Sequence, residues 1–373
     1  MRVVINGRFL CQHVTGVQRV AIEYLIAIDE MLARGEFPGV DVEVAIPAAS
    51  PVITDLSLRR VRPVTLGRAQ GHRWEQTELA RYAAGSTLIC FGNVAPIYSL
   101  LSRRTRVVTF IHDLSFLYFP EAYSWRFRWL YRALVPAALA LSDVTVTVAE
   151  VERTSIERTY RVLRRWYDLV VLQNGGLRED RPGIEVEPLP SHLRERTALY
   201  VGSLTKRKNA DKLLAAAQIT HREDGIPLVI IGATGPNFST TDRSIVPADA
   251  ARFLGQIDDA GLVYEHMQRA QVFVFPSLYE ASPLPPVEAM ANGCPVVAAD
   301  IPSIRERCGD AVLYCEPSDE RSIASAVIAL CEDENLWNEM QRRGLKQAAK
   351  YSWQQQAMTL LSWAVPVGRG TSS

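Results

Sequence analysis

Two doubly wound α/β domains joined by a short linker are what this sequence predicts, and three observations predict them. Short β-rich runs alternate with longer helical patterns over residues 1–173, the arrangement that builds a parallel sheet wrapped by helices. Residues 174–192, NGGLREDRPGIEVEPLPSH, interrupt that rhythm with glycines, prolines and charges, the composition of a linker. The alternation then restarts over 193–352, and 373 residues exceed one ordinary core, so length also favours two domains of about 150–190 residues each.

Taken in order, Val3–Ile5 reads as a strand, Gln18–Leu32 as a helix, and Val42–Ile46, Thr87–Phe91 and Val107–Ile111 as strands. Trp125–Leu141 has a helical pattern, and Val144–Val148 and Leu169–Leu172 are again strands. After the linker come a strand at Ala198–Gly202, a helix over Asn209–Ile219, and strands at Pro227–Gly232 and Arg252–Gly255. A helix around Gly261–Arg269, a strand at Val272–Pro276, a helix over Pro285–Asn292 and a strand at Pro295–Ala299 complete the second unit. Sheets of this kind bind ligands at the carboxyl ends of their strands, so the active site is expected in a cleft between the two domains.

Composition narrows the function. With 48% hydrophobic and 22% charged residues the chain buries enough apolar surface to fold as a soluble protein. Lys plus Arg equals Asp plus Glu at 41 each, which argues against a polyanion coat driven by bulk positive charge; no nucleic-acid partner is expected. The balance hides an asymmetry. Lysine is absent before Lys206, and Lys206, Lys208 and Lys212 then fall close together. The six cysteines (Cys11, Cys90, Cys294, Cys308, Cys315, Cys331) form no C-x-x-C and read as buried free thiols of a reducing compartment. The start, MRVVINGRFL, reads as a strand and not as a secretory leader, and no apolar run approaches the ~20 residues of a membrane span. A cytoplasmic protein is expected, with any membrane contact peripheral.

Two stretches carry chemistry. A strand ending at Val201 runs through Gly202-Ser203-Leu204-Thr205 into Lys206-Arg207-Lys208-Asn209 and a helix. Consecutive cations at a strand-to-helix junction, beside unpaired N–H groups and the positive dipole end, make an anion site that suits a diphosphate. A solvated basic turn is the plain alternative. Glu280 closes a loop after the next strand but two, and Glu288 follows inside the helix that begins near Pro285, with Pro283, Pro285 and Pro286 stiffening the corner between them. Carboxylates accept hydrogen bonds from vicinal hydroxyls, so this pair suits sugar and ribose diols of one ligand. A surface acid plus a dipole-favoured acid at a helix start would look the same. Residues Ser124–Arg132 interleave four aromatics with three arginines, which suits an anionic lipid surface or an ordinary half-buried helix. No G-x-G-x-x-G follows the first strand, and P-loop, H-E-x-x-H, G-x-S-x-G and D-x-D elements are absent from the sequence.

The stretch FPSLYEASPLPPVEAMANGCPVVAADIPSIRE, residues 275–306, resembles the E-x7-E signature of retaining GT-B glycosyltransferases of family 4. GSLTKRKNADKLLAAA is similar to the family's phosphate-binding turn. HVTGVQRVAIEYL, the segment VVTFIHDLSFLYFPEAYSWRFRWLYRALVPAALALSDVTVTVAEVER and the closing YSWQQQAMTLL also resemble family segments, in order along nearly the whole chain. The resemblance implies a GT-B fold of two Rossmann-like domains: an acceptor-binding domain at 1–173, a nucleotide-sugar-binding domain at 193–352, and a C-terminal helix and tail at 353–373 crossing back to the first domain. By the same resemblance Arg207 and Lys208 neutralise the donor diphosphate and stabilise the departing nucleoside diphosphate. Glu288 would hold the ribose hydroxyls, Glu280 would face the transferred sugar, and His112 would lie near the reacting centre. Gly16 would let the backbone approach the donor phosphates, and Ser282 and Leu284 would complete the donor-binding set. Asp113 reads as a helix cap, and Asn174-Gly175 as a hinge turn.

The sequence departs from the family at Ala281, where glycine is usual, at Ser282-Pro283, where Phe-Gly is usual, and at Ser203, where other branches carry arginine. Pro283 has no N–H to offer a donor, which leaves the detail of the donor pocket open. Without a D-x-D to hold a divalent ion, the neutralising charge is expected from Arg207, Lys208 and helix ends; no metal and no cofactor are expected beyond the nucleotide-sugar co-substrate. The expected activity is transfer of a hexose with retention, mannose from a GDP-sugar by analogy, onto a glycan or lipid-linked oligosaccharide in polysaccharide or O-antigen synthesis at the inner face of the cell membrane. Alternatives are a UDP-sugar-dependent enzyme of the same fold and a non-catalytic partner subunit.

Overall fold

The computed structural model describes residues 1–102, 104–177, 188–232 and 246–365; the middle of the expected linker, 178–187, and the tail after 365 lie outside the described residues. The chain forms two compact units, Met1–Asn174 with Trp353–Ser373, and Gly175–Ser352.

In the first unit β1 (Arg2–Asn6), β2 (Asp41–Pro47), β3 (Arg62–Leu66), β4 (Thr87–Cys90), β5 (Arg106–Phe110), β6 (Val144–Thr147) and β7 (Leu169–Val171) make one parallel sheet in the order β3-β2-β1-β4-β5-β6-β7. Val4 pairs with Glu43 on one side and Leu88 on the other. The strands grow outward from β1 in one direction and from β4 in the other, so the winding reverses between them and opens a crevice at their carboxyl ends. Strands β1, β4 and β5 are buried along almost their whole length, as expected of a sheet covered on both faces. The edge strand β3 was not expected from the sequence. It contains Pro63 and is largely exposed, so it carries no apolar period.

Helix α1 (Gly16–Ala33) and the closing helix Trp353–Ala364 cover this sheet together. The fully buried Trp353 ring meets Tyr24 edge-on at 5.3 Å, and Tyr24 stacks on Phe91 at 5.3 Å. The Thr87 hydroxyl donates to Ala364 O at 2.8 Å, satisfying a carbonyl at the helix end. Helix α2 (Trp125–Leu141) spans the residues its periodicity predicts, with Ser124 Oγ accepting from Phe127 N as its cap.

The second unit repeats the plan with β8 (Glu195–Val201), β9 (Leu228–Ile231), β10 (Ala251–Gly255), β11 (Ala270–Phe275), β12 (Val296–Ala299) and β13 (Leu313–Cys315), parallel in the order β10-β9-β8-β11-β12-β13. Here the winding reverses between β8 and β11. Its helices include α3 (Ala210–Asp224), α4 (Ala260–Arg269), α5 (Pro285–Ala291), α6 (Glu320–Glu332) and α7 (Glu334–Ala348). Helix α3 runs five residues beyond the expected Ile219 because its stop signal is Gly225, in the left-handed conformation, with its N–H on His221 O. Strand β8 begins before the expected Ala198, beside Arg194, whose buried guanidinium donates to the carbonyls of Leu189, Met267, Ala270, Asn292 and Gly293.

All six cysteines are free, five of them buried. Burial pushes the thiols of Cys294, Cys308, Cys315 and Cys331 up to about 12, so they pack as small apolar groups and not as nucleophiles. Among the described residues no helix is long and apolar enough to cross a membrane.

Candidate active site

The loops that follow β8 and β11 flank the crevice of the second sheet. At the end of β8, Gly202 has φ +154°, and a Cβ there would lie 2.9 Å from the Tyr200 hydroxyl. That hydroxyl donates to Ser203 O at 2.9 Å. A Cβ on Gly232, at the end of the neighbouring β9, would lie 1.9 Å from Gly202 O, so two glycines let the backbones close up beside the crevice. Lys208 N donates to Thr205 Oγ1 and Asn209 N to Lys206 O, which closes the basic turn. Asn209 takes the left-handed conformation, φ +62°, and its amide donates to the carbonyls of Pro276 and Pro317 at 3.0 and 2.6 Å. This residue ties the turn after β8 to the loop after β11. Leu278 N adds a bond to Arg207 O at 3.0 Å.

These ties bring Glu280 onto the cations. Lys208 Nζ lies 2.5 Å from Glu280 Oε1, and Arg207 Nη1 lies 3.5 Å from Oε2 and donates to Tyr279 O at 2.9 Å. Lys208 Nζ also sits 5.0 Å over the Phe275 ring. Burial alone would push the Glu280 carboxyl up, but Lys208, Arg207 and the nearby Ser277 hydroxyl outweigh it and hold the acid below its ordinary value. Burial lowers Lys208, and Glu280 opposes that shift. The three groups therefore form one cluster with a net charge of +1. Its exposed part is Arg207, whose side chain is 36% accessible against 10% for Glu280 and 14% for Lys208. The sequence separates Glu280 from the cations by more than 70 positions and assigns them to different parts of a ligand; the fold couples them directly. Lys212, third of the clustered lysines, points elsewhere and pairs with Glu320 at 2.6 Å.

Glu288 lies in the first turn of α5, as its spacing predicts, with Pro285 and Pro286 opening the helix. It is buried, and the Tyr264 hydroxyl donates to its Oε1 at 3.4 Å. Ser282 and Leu284 stand in the loop between the two acids with their side chains largely buried.

In the first unit His112 follows β5. Its Nε2 lies 2.7 Å from Phe91 O, its backbone N–H donates to Asn93 Oδ1 at 2.7 Å, and it stacks on Phe110. Burial holds the imidazole below its ordinary range, so the ring is neutral at pH 7. A carbonyl partner accepts only, which places the proton on Nε2 and leaves Nδ1 as an acceptor. Asp113 Oδ1 accepts from Ser115 N and Oγ, a local turn two residues on; the cap position of the helical turn that begins at Ser115 is Leu114, so Asp113 is not the helix cap expected of it. Gly16 opens α1, and a Cβ there would meet nothing within 4 Å, so nothing within this unit demands glycine at that position.

A cluster that the sequence reading missed occupies the crevice of the first sheet. Glu75, 3% exposed, lies at the start of a π-helical turn, Glu75–Leu79. Its Oε1 accepts from Asn6 Nδ2 at 2.7 Å and pairs with Arg8 Nε at 2.9 Å; its Oε2 lies 2.7 Å from His72 Nδ1. Burial would raise the Glu75 carboxyl, and His72 and Arg8 together bring it below its ordinary value. The Tyr131 ring stands edge-on to His72 at 6.0 Å. Asn6 ends β1 and Arg8 lies two residues on, and that adjacency to the first strand was the available signal. The π-turn has no recognisable period, and π-turns recur at functional sites.

Residues 185–348 match the family described as Glycosyl transferases group 1. The chain is 31% identical over 272 residues to O-antigen chain mannosyltransferase B of Escherichia coli, covering 69% of this chain and 70% of that protein. It is 26% identical over 251 residues to O-antigen chain mannosyltransferase RfbU of Salmonella typhimurium, covering 64% and 66% of the two chains. Among solved structures, the sucrose-phosphate synthase of Thermosynechococcus elongatus superimposes with a TM-score of 0.70 at 17% identity over 96% of each chain, a likeness of fold.

Proposed function

The chain belongs to the group 1 glycosyltransferases and has their two-domain GT-B fold, and from that premise we propose that it transfers a hexose from a nucleoside-diphosphate sugar to a glycan hydroxyl with retention and without a divalent ion. The observation that carries the reading is the Arg207–Lys208–Glu280 cluster, net positive with Arg207 open to solvent, at the switch point of the second sheet. In this reading Arg207 and Lys208 meet the donor diphosphate, and charge that grows on the leaving oxygen falls on fixed cations instead of on solvent. Glu280 accepts from hydroxyls of the transferred sugar while holding Lys208 charged, and Glu288 takes the ribose.

Retention fits a front-face course. The bond from the anomeric carbon to the diphosphate breaks, the bond to the acceptor oxygen forms on the same face, and the acceptor's proton passes to the departing phosphate oxygen. The neutral His112 contributes an acceptor at Nδ1 and holds its position through the Nε2 proton it donates to Phe91 O; it transfers no proton in this scheme. The Asn6–Arg8–His72–Glu75 group belongs to the acceptor side, where a near-neutral cluster suits hydroxyls better than a diphosphate. The two O-antigen relatives are mannosyltransferases by name, which supports mannose as the sugar and a surface polysaccharide as acceptor; guanosine diphosphate as its carrier and a lipid-linked acceptor at the inner face of the membrane complete the proposal.

A panel of nucleotide sugars in a thermal-unfolding assay tests the donor, since a ligand bound by the folded state alone raises Tm by mass action. GDP-mannose giving the largest rise supports the reading; UDP-sugars giving it transfers the same mechanism to uridine donors. No rise with any of them favours a non-catalytic partner subunit.

A further inference from the structure

We propose that the first unit carries a docking surface for an anionic bilayer, made by the outer face of α2 and the 3-10 turn Arg161–Trp166. Helix α2 buries Tyr131, Val135, Ala138 and Leu139, and one turn apart on the opposite side it leaves Trp125 and Trp129 66% and 67% exposed. Leu130 is also exposed, and Arg126 and Arg132 flank the two indoles, with the Arg126 guanidinium 5.4 Å over the Trp125 ring. The 3-10 turn repeats the pattern. Val162 and Trp166 are 82% and 54% exposed, and Arg165 lies 4.3 Å over Trp166, with Arg161 exposed alongside.

The two segments share a foundation, because Phe127 and Leu134 from α2 and Leu163 from the turn pack on the same apolar cluster. Three indoles with no hydrogen-bond partner among the described residues suit a headgroup boundary, where the ring is apolar and the N–H stays wet. Arg126, Arg132, Arg161 and Arg165 have no ion pair among the described residues, and neither Ser124–Leu141 nor Arg161–Trp166 contains an acid. A second copy of this chain is a poor occupant, since a two-fold contact would set these arginines against one another. Anionic lipid supplies the missing negative charge and accommodates the tryptophans at once. This surface belongs to the first unit and the donor cluster to the second, and the proposal does not depend on which sugar is transferred.

The full chain is sedimented with vesicles of phosphatidylglycerol and, separately, of phosphatidylcholine. The expected result is pelleting with phosphatidylglycerol alone, weakened by salt. Trp125→Ser/Trp129→Ser and Arg161→Gln/Arg165→Gln should each lower the partition, the arginine pair by about twenty-five-fold at about fivefold per charge. Both variants should keep the circular-dichroism spectrum and the urea midpoint of wild type, which certifies the folding of the first unit that carries them. Wild type remaining in the supernatant with both lipids overturns the proposal and leaves the face to an acidic protein, and so do variants that pellet like wild type. A chain that pellets but binds no nucleotide sugar keeps this surface and overturns the glycosyl-transfer reading instead.

Discussion

The two sheets place a buried carboxylate at the same topological point, where the winding reverses, and surround it differently. Glu280 faces two full cations, Arg207 and Lys208, which leaves a net positive charge with Arg207 open to solvent. Glu75 faces one full cation, Arg8, with Asn6 and His72 completing its shell, so its charge is balanced within the protein. The proposed function uses that difference, with an anion received at the crevice of the second sheet and neutral polar groups at that of the first. On that proposal the former is the donor end and the latter the acceptor end, and each can be broken independently.

The largest effect is expected at Lys208. Lys208→Met should lower turnover about 10²–10³-fold through lost stabilisation of the leaving group, measured in a transfer assay with the donor that the Tm panel selects. Lys208→Arg should recover part of it, whereas a purely structural lysine would show no such recovery. Next in size, Glu75→Ala removes the partner of the half-buried Arg8 and His72 and should cost about 1.5–3 kcal/mol in a denaturant titration. Nucleotide binding by the second unit should persist in the same sample. Loss of nucleotide binding there would contradict the separation of the two ends.

The legibility of the two crevices follows from the same contrast. The basic turn after β8 is three consecutive residues at a strand-to-helix junction, and Glu280 and Glu288 lie in one unbroken stretch, so their spacing is visible along the chain. The cluster around Glu75 draws on positions 6, 8, 72, 75 and 131, two of them in a stretch where the edge strand β3 and a π-turn carry no helical or alternating period. The alternation of strands and helices shows both sheets. It does not show Asn209 reaching the carbonyls of Pro276 and Pro317, the contact that carries Lys208 to Glu280.

The acid limb of stability should sharpen the comparison further. Burial holds His112 below its ordinary value of about 6.5, so the unfolded chain takes up that proton first. The associated stability is complete above about pH 6.5 and is lost as pH falls through the folded value. Glu75 and Glu280 are both held low, so their contribution is present above about pH 4.3 and lost in more acid solution. Urea midpoints followed from pH 7.5 to 2.5 should therefore fall in two stages, beginning near about pH 6.5 and about pH 4.3, and His112→Asn should remove the first. The smallest effect belongs to Gly16→Ala. A Cβ there meets nothing in the unit, so stability should change by less than about 1 kcal/mol while donor turnover falls. Gly232→Ala, whose Cβ would strike Gly202 O, should destabilise the second unit and serves as the contrasting control.

The central claim is that the crevice of the second sheet holds a nucleoside diphosphate through Arg207 and Lys208. Calorimetric titration of guanosine and uridine diphosphates into wild type and Arg207→Gln addresses it directly, because Arg207 is the exposed member of the cluster and its loss leaves the Lys208–Glu280 pair in place. The account predicts binding of one nucleotide by wild type and an affinity about tenfold or more weaker in the variant, at about 1.5–3 kcal/mol for a charge-assisted contact. Equal affinity in the two proteins, with the same nucleotide, would contradict it.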